Sequence, residues 1–160
     1  MSEIAIYPGS FDPITKGHID ILERFSRVFT KIYIGVGFSP KKSYLFNLEE
    51  RQTMVREAVT HLQNIEVVAF EGLTVEFAKG VNANFILRGV RSAGDFEYEQ
   101  NMANMNYRLN KEIETLLLYS KPELNLVSSS LIKEVFALGG DVSQFVTENV
   151  IRELVKKIKV

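Results

Sequence analysis

The chain contains no cysteine among its 160 residues, so neither a disulfide framework nor a thiolate metal site is open to it. Histidine is scarce, limited to His18 and His61, and two imidazoles without cysteine argue against a zinc centre. Apolar runs are short. None approaches the ~18 residues of a membrane span. The strand-like run that begins at Glu3 leaves no room for a signal peptide, and a cytoplasmic location is the expectation. A net charge of one sign is missing too: 19 basic and 20 acidic side chains sum to −1. That balance argues against a global grip on nucleic acid or a membrane surface, while leaving room for a local basic pocket that takes a small anion. There is no G-x-x-x-x-G-K-[ST] phosphate loop and no G-x-S-x-G elbow, and Gly35-x-Gly37 lacks the third glycine of a dinucleotide fingerprint.

What is present is a regular alternation of strand and helix. Short apolar runs predict strands at Glu3–Tyr7, Lys31–Gly37, Ile65–Phe70, a brief one ending at Phe85–Leu87, and Glu114–Tyr119. Helical spacing puts Ile19, Leu22, Phe25 and Phe29 on one face of His18–Phe29. Asn47-x-x-Glu50 reads as a capping box opening a helix to about His61. Thr74 can cap a short helix that fades near Gly80, and Asp95–Leu109 is helical with Phe96, Met102 and Met105 expected in the core. Ser128–Leu138 stops at Gly139-Gly140, and Thr147–Lys159 closes the chain. No repeat or linker interrupts this order, so residues 1–160 read as one domain. The fold class expected is α/β: a Rossmann-like open five-stranded parallel sheet, order 3-2-1-4-5, with helices on both faces.

In such sheets ligands sit beyond the carboxyl ends of the strands, where strand order reverses. The segments at those ends are PGSFDP, FSPKK, EGLT, RGVR and LVSSS. The first and fourth would face each other across the reversal, and Lys41, Lys42, Arg88 and Arg91 would rim one crevice, so the ligand should be strongly anionic. Gly9 and Ser10 offer amides to phosphate. Gly17-His18 stands at a helix N-terminus, where anions are favoured; the alternative is a histidine that merely packs on its own loop. Arg88 and Arg91 present planar forks suited to phosphate oxygens, or they are surface arginines bonded to Asp95, Glu97 or Glu99. Ser128-Ser129-Ser130 is either ordinary capping or a phosphate cradle. Glu99 reads as a surface acid and His61 as solvated. A site of amides, hydroxyls, one imidazole and several cations suits transfer between phosphates, a chemistry that runs on positioning and charge stabilisation.

Gly9-Ser10-Phe11-Asp12-Pro13-Ile14-Thr15-Lys16-Gly17-His18 resembles the [ST]-F-D-P-x-T-x-G-H signature of the nucleotidylyltransferase superfamily. Leu87-Arg88-Gly89-Val90-Arg91, Asp95-Phe96-Glu97-Tyr98-Glu99 and Val127-Ser128-Ser129-Ser130-x-Ile132-Lys133-Glu134-Val135 look like its bacterial phosphopantetheine adenylyltransferase branch. The resemblance implies transfer of the adenylyl group of ATP to 4′-phosphopantetheine, giving dephospho-coenzyme A and pyrophosphate, with Mg²⁺ carried by ATP and no fixed metal site. It implies that Ser10 contacts both substrates, Phe11 passes its backbone along ATP, and His18 binds ATP and stabilises the transition state. Lys42 and Arg88 would hold the acceptor phosphate and Thr74 the acceptor's arm. Gly89, Val90, Arg91 and Glu99 would bind ATP, with Leu124, Asn125, Leu126, Val127, Ser128, Ser129 and Ser130 along the nucleotide. Leu124-Asn125-Leu126 stands where family members often carry an aromatic-Ser-aromatic run, so contacts there would depend on backbone. The resemblance also implies a homohexamer and coenzyme A as a feedback inhibitor. The rival readings are a nucleotidylyltransferase acting on nicotinate mononucleotide or glycerol phosphate, and a non-catalytic nucleotide-binding regulator of the same fold.

Overall fold

The computed structural model describes residues 3–125 and 128–158. Five strands form one sheet: β1 (Ile4–Gly9), β2 (Lys31–Phe38), β3 (Ile65–Glu71), β4 (Phe85–Val90) and β5 (Glu114–Tyr119). Their order is β3-β2-β1-β4-β5, and every pairing is parallel. This is the expected Rossmann-like α/β topology, with the order reversing at β1.

Alternation along the central strands separates two cores. Ala5 and Tyr7 of β1 join Ile32, Ile34 and Val36 of β2 on one face. They pack against α1 (Lys16–Phe25), α2 (Leu48–Ala58), α5 (Ser129–Ala137) and α6 (Glu148–Lys157). Ile6 and Ile86 point the other way, to Val75 and Ala78 of α3 (Thr74–Gly80). Helices therefore cover both faces. Gly35 lies where a strand passes under aromatic rings: a Cβ there would stand 2.5 Å from the Phe77 ring.

Several element ends differ from the sequence-based expectation. The fourth strand runs on to Val90, so Arg88, Gly89 and Val90 belong to the ladder rather than to the loop after it. Pairing with β5 continues through Val90↔Tyr119 and holds these residues extended. The first helix opens at Lys16 and closes at Phe25; Phe29 lies beyond it, although still buried. The Asn47 capping box is present, with Asn47 Oδ1 accepting from the Glu50 amide and Glu50 Oε2 from the Asn47 amide. Thr74 does not cap α3: Leu73 occupies that position, without a side-chain bond.

The largest departure is α4 (Ala93–Leu109). Its buried residues are Glu99 and Asn106, while Phe96, Met102 and Met105 are exposed. The core expected from those three residues is not there. Apolar residues fall all round this helix, so helical periodicity could not say which side faces inward.

Candidate active site

The carboxyl ends of the strands carry two adjoining cavities, of about 480 Å³ and 310 Å³. Both are lined by Pro8, Gly9, Ser10, Lys42, Tyr44, Arg88 and Glu99. His18 and Arg88, from the tips of separate elements, face the same larger cavity.

The floor of the larger cavity is the turn after β1. Phe11 adopts a positive φ of 49°, and a cis peptide joins Asp12 to Pro13. Gly9 is needed for the close approach here, because a Cβ would lie 3.0 Å from the Phe11 ring. Asp12, which also lines the cavity, is engaged within the protein. Its carboxylate accepts from the Leu45 and Phe46 amides at 3.0 and 2.9 Å and pairs with Lys133 at 2.8 Å, which ties the loop after β2 to the loop after β1.

His18 is the third residue of α1, and its ring completes a capping box. The Thr15 side chain accepts from the His18 amide, and His18 Nδ1 accepts from the Thr15 amide at 3.0 Å. A backbone amide can only donate, so Nδ1 carries no proton and the hydrogen sits on Nε2. Edge contacts with Phe11 at 5.1 Å and Tyr7 at 6.4 Å between centroids fix the ring plane. Burial, reinforced by the Arg88 and Arg91 charges, pushes the His18 pKa down to about 4. The residue is thus a neutral, oriented Nε2–H donor.

Arg88 is held by three bonds. Nε and Nη2 donate to the two Glu99 oxygens at 2.9 and 2.6 Å, and Nη1 donates to the Pro8 carbonyl at 2.6 Å. Burial opposes its charge, but the Glu99 hydrogen bonds and charge raise its pKa above the ordinary arginine value. Of the five guanidinium hydrogens, two on the terminal nitrogens are left for a ligand. Arg91 donates through Nε and its backbone amide to Asp95. Each arginine thus binds a carboxylate of α4, as one of the two sequence alternatives has it, and each also lines the larger cavity.

The remaining assigned residues divide. Ser10, Phe11, Gly89, Ser128, Ser129 and Ser130 line the larger cavity, and Thr74 lines the smaller. Ser128 caps the Leu131 amide and Ser129 donates to the Pro13 carbonyl at 2.7 Å, leaving Ser130 as the hydroxyl of the three with no bond among the described residues. Lys41 is exposed and lines neither cavity, which corrects its place on the rim. Val90 is fully buried and its carbonyl accepts from Ser120, so it offers no side chain to a ligand. Leu124 and Asn125 do not line either cavity, and Leu126 and Val127 lie outside the described residues. Glu99 is not a surface acid: it is 6% exposed and borders both cavities. His61 is exposed, as expected, and bonds Glu23 at 2.8 Å on the surface.

The sequence reading gave no role to Asp12, Tyr44, Asn106 or Lys133, all of which line these cavities. For Asp12 and Lys133 a signal existed, since both fall inside the blocks that carry the resemblance. Asn106 gave none, lying among exposed apolar neighbours.

A family model described as cytidylyltransferase-like matches residues 6–135. Among solved structures, a candidate nicotinate-nucleotide adenylyltransferase from Vibrio parahaemolyticus superposes with a TM-score of 0.73 at 18% identity, covering 98% of this chain and 93% of its own. The Plasmodium falciparum nicotinic acid mononucleotide adenylyltransferase complexed with NaAD gives 0.70 at 18%, covering 98% and 96%. At that identity the two likenesses establish the fold.

Proposed function

This chain belongs to the cytidylyltransferase-like family of nucleotidyltransferases, and from that premise we propose that it adenylylates 4′-phosphopantetheine, releasing pyrophosphate. The observation that carries the reading is the pair of cavities sharing Ser10, Lys42 and Arg88. Two polyanions bound from opposite sides would meet at those cations.

In this reading ATP takes the larger cavity, with its phosphates over the Gly9–Phe11 backbone and the N-terminus of α1. Arg91, Gly89 and the serines at the start of α5 serve the same substrate. The acceptor takes the smaller cavity. Its phosphate lies at Lys42 and the two open hydrogens of Arg88, and its arm runs along Phe38, Phe70, Thr74 and Met102 toward Asn106 and Thr115. An arm of alternating methylene and amide groups suits a wall that mixes rings with a carboxamide and a hydroxyl.

The chemistry needs no protein base, because a phosphate monoester with a second pKa near ~6 is already largely ionised at neutral pH. One of its oxygens attacks the α-phosphorus of ATP. The bond to the β-phosphate oxygen breaks, and pyrophosphate departs with the electron pair. His18 Nε2–H donates to the α-phosphoryl oxygen on which charge grows, while Lys42, Arg88 and Arg91 offset the repulsion between the reactants. Among the described residues no three acidic or imidazole groups converge, and Asp12, Asp95 and Glu99 are already bonded to cations. That donor set suits MgATP as the substrate, its ion held by phosphate oxygens and water.

The same reading includes self-association, supported by the apolar surface that α4 leaves exposed, with coenzyme A as a product-like inhibitor of the acceptor cavity. The rival acceptor is nicotinate mononucleotide, favoured by what the two solved relatives are named for. The experiment is ³¹P NMR of the protein with MgATP and each acceptor in turn, and with CTP and glycerol phosphate. Dephospho-coenzyme A resonances with phosphopantetheine alone are the outcome expected. Preferential turnover of the nicotinate acceptor would overturn the assignment.

A further inference from the structure

We infer that Arg51 is a positioning residue for the transfer: from beneath the site it aims the Phe11 amide into the nucleotide cavity and locks the Lys42-bearing loop to the same point. The inference deepens the proposed function and rests on it.

Arg51 lies on the inward stripe of α2, in register with Met54, Val55 and Ala58. It is 0% exposed. Among the described residues no carboxylate bonds it. Its guanidinium instead donates to three carbonyls: Nε to Phe46 at 3.1 Å, and Nη1 to Ser10 at 2.7 Å and Gly37 at 2.8 Å. Its carbon lies 4.1 Å from the centre of the Tyr44 ring, and Nη2 is buried without a partner. A buried cation matched by carbonyl dipoles and one ring face, with no carboxylate hydrogen-bonded to it, is costly, and an apolar side chain of similar volume commonly does better for stability alone. Packing therefore does not explain why this stripe carries an arginine.

The three carbonyls supply the explanation. In a trans peptide the C=O and the following N–H point in opposite directions. Drawing the Ser10 oxygen inward onto Nη1 turns the Phe11 N–H outward, toward the cavity that Ser10 and Phe11 line. Among the described residues this amide has no protein acceptor, and the positive φ of Phe11 holds the turn open at that point. The group is a fixed hydrogen-bond donor of the kind that stabilises charge developing on an oxygen. The same guanidinium grips the loop that bears Lys42 through the Phe46 carbonyl and the Tyr44 ring, while Asp12 takes the Leu45 and Phe46 amides of that loop. One buried side chain thus sets the spacing between a donor for the nucleotide and the cation for the acceptor.

The test uses ¹⁵N-labelled full-length protein and the non-reacting analogue α,β-methylene-ATP with Mg²⁺, followed by steady-state kinetics of Arg51→Met and Arg51→Lys. In the wild type, the Phe11 amide should be among the resonances that move most on adding the analogue. Arg51→Met should lose that response and about 10²–10³ in kcat, the scale for one such donor, with a raised KM for phosphopantetheine. Arg51→Lys keeps the charge without the fork and should fall between the two. An unmoved Phe11 amide in the saturated wild type overturns the inference whether or not either variant folds. So does an Arg51→Met enzyme that loses thermal stability but keeps its kcat per folded molecule. Failure of the acceptor assignment is separately visible: the wild type would then turn over nicotinate mononucleotide while the nucleotide titration still reads the Phe11 amide.

Discussion

With Nδ1 accepting from the Thr15 amide and its pKa pushed down to about 4 by burial and by the Arg88 and Arg91 charges, His18 remains a neutral donor at any pH near 7. The acid limb of kcat/KM should therefore belong to the acceptor phosphate, near ~6, and no second inflection should arise from the enzyme between that limb and pH 8.5; a pH–rate profile with phosphopantetheine checks this. Folding stability carries its own signature. The unfolded histidine takes a proton near 6.5 and the folded one only near 4. Stability should thus fall as pH drops through that interval, and this part of the slope should vanish in His18→Gln, read by urea unfolding at pH 7 and 4.5. Glutamine is also an accepted partner in a capping box. We expect His18→Gln to keep the thermal stability, whereas His18→Ala loses about 1 kcal/mol of cap together with about 10²–10³ in kcat. The convergence of His18, Lys42 and Arg88 on one cavity was legible because all three follow or end strands at the carboxyl edge of a parallel sheet, where such folds bind ligands. The tautomer was not, since it depends on one amide three residues away. Arg51 was hidden in Leu-Glu-Glu-Arg, which reads as an exposed turn until Met54, Val55 and Ala58 are seen to share its stripe.

The strands were legible as elements because short apolar runs between turn residues have one common solution in a protein of this length, and their alternation with helices pointed to a parallel sheet, although alternation by itself does not set the strand order. The ends were less so. Arg88 and Gly89 interrupt the apolar pattern and suggest that β4 has stopped, yet ladder bonds to β5 carry it to Val90. α4 misled more seriously, because it buries Glu99 and Asn106 and leaves Met102 and Met105 exposed. Its role is to carry Glu99 to Arg88. Glu99→Ala should leave that guanidinium without its fork partner at a largely buried position, costing on the order of 2 kcal/mol after discounting for Arg88's partial exposure. We expect the KM for phosphopantetheine to rise roughly tenfold, as for loss of an orienting partner, with the affinity for α,β-methylene-ATP little changed. Calorimetric titration with that analogue separates this from the direct nucleotide contact that the family resemblance implies.

Taken as a whole, the molecule keeps one end of its sheet for chemistry and leaves an apolar surface on α4, where Met105 is 54% exposed and Tyr107 and Leu109 also face outward. Light scattering on the purified protein should give a mass several times 18.2 kDa, and Met105→Glu should lower it. No helix of the described residues is long and apolar enough to cross a membrane. The distribution of charge matters more than its sum: a chain near neutrality gathers Lys42, Arg88 and Arg91 at one opening, where the proposed function has two polyanions meet. The measurement that tests this most directly is the fate of oxygen from the acceptor. With 4′-phosphopantetheine carrying ¹⁸O in its phosphate, ³¹P NMR should show both phosphorus resonances of dephospho-coenzyme A shifted by a bridging ¹⁸O, and pyrophosphate free of label. Label in pyrophosphate, or an unlabelled bridge, would contradict direct attack of the acceptor on ATP.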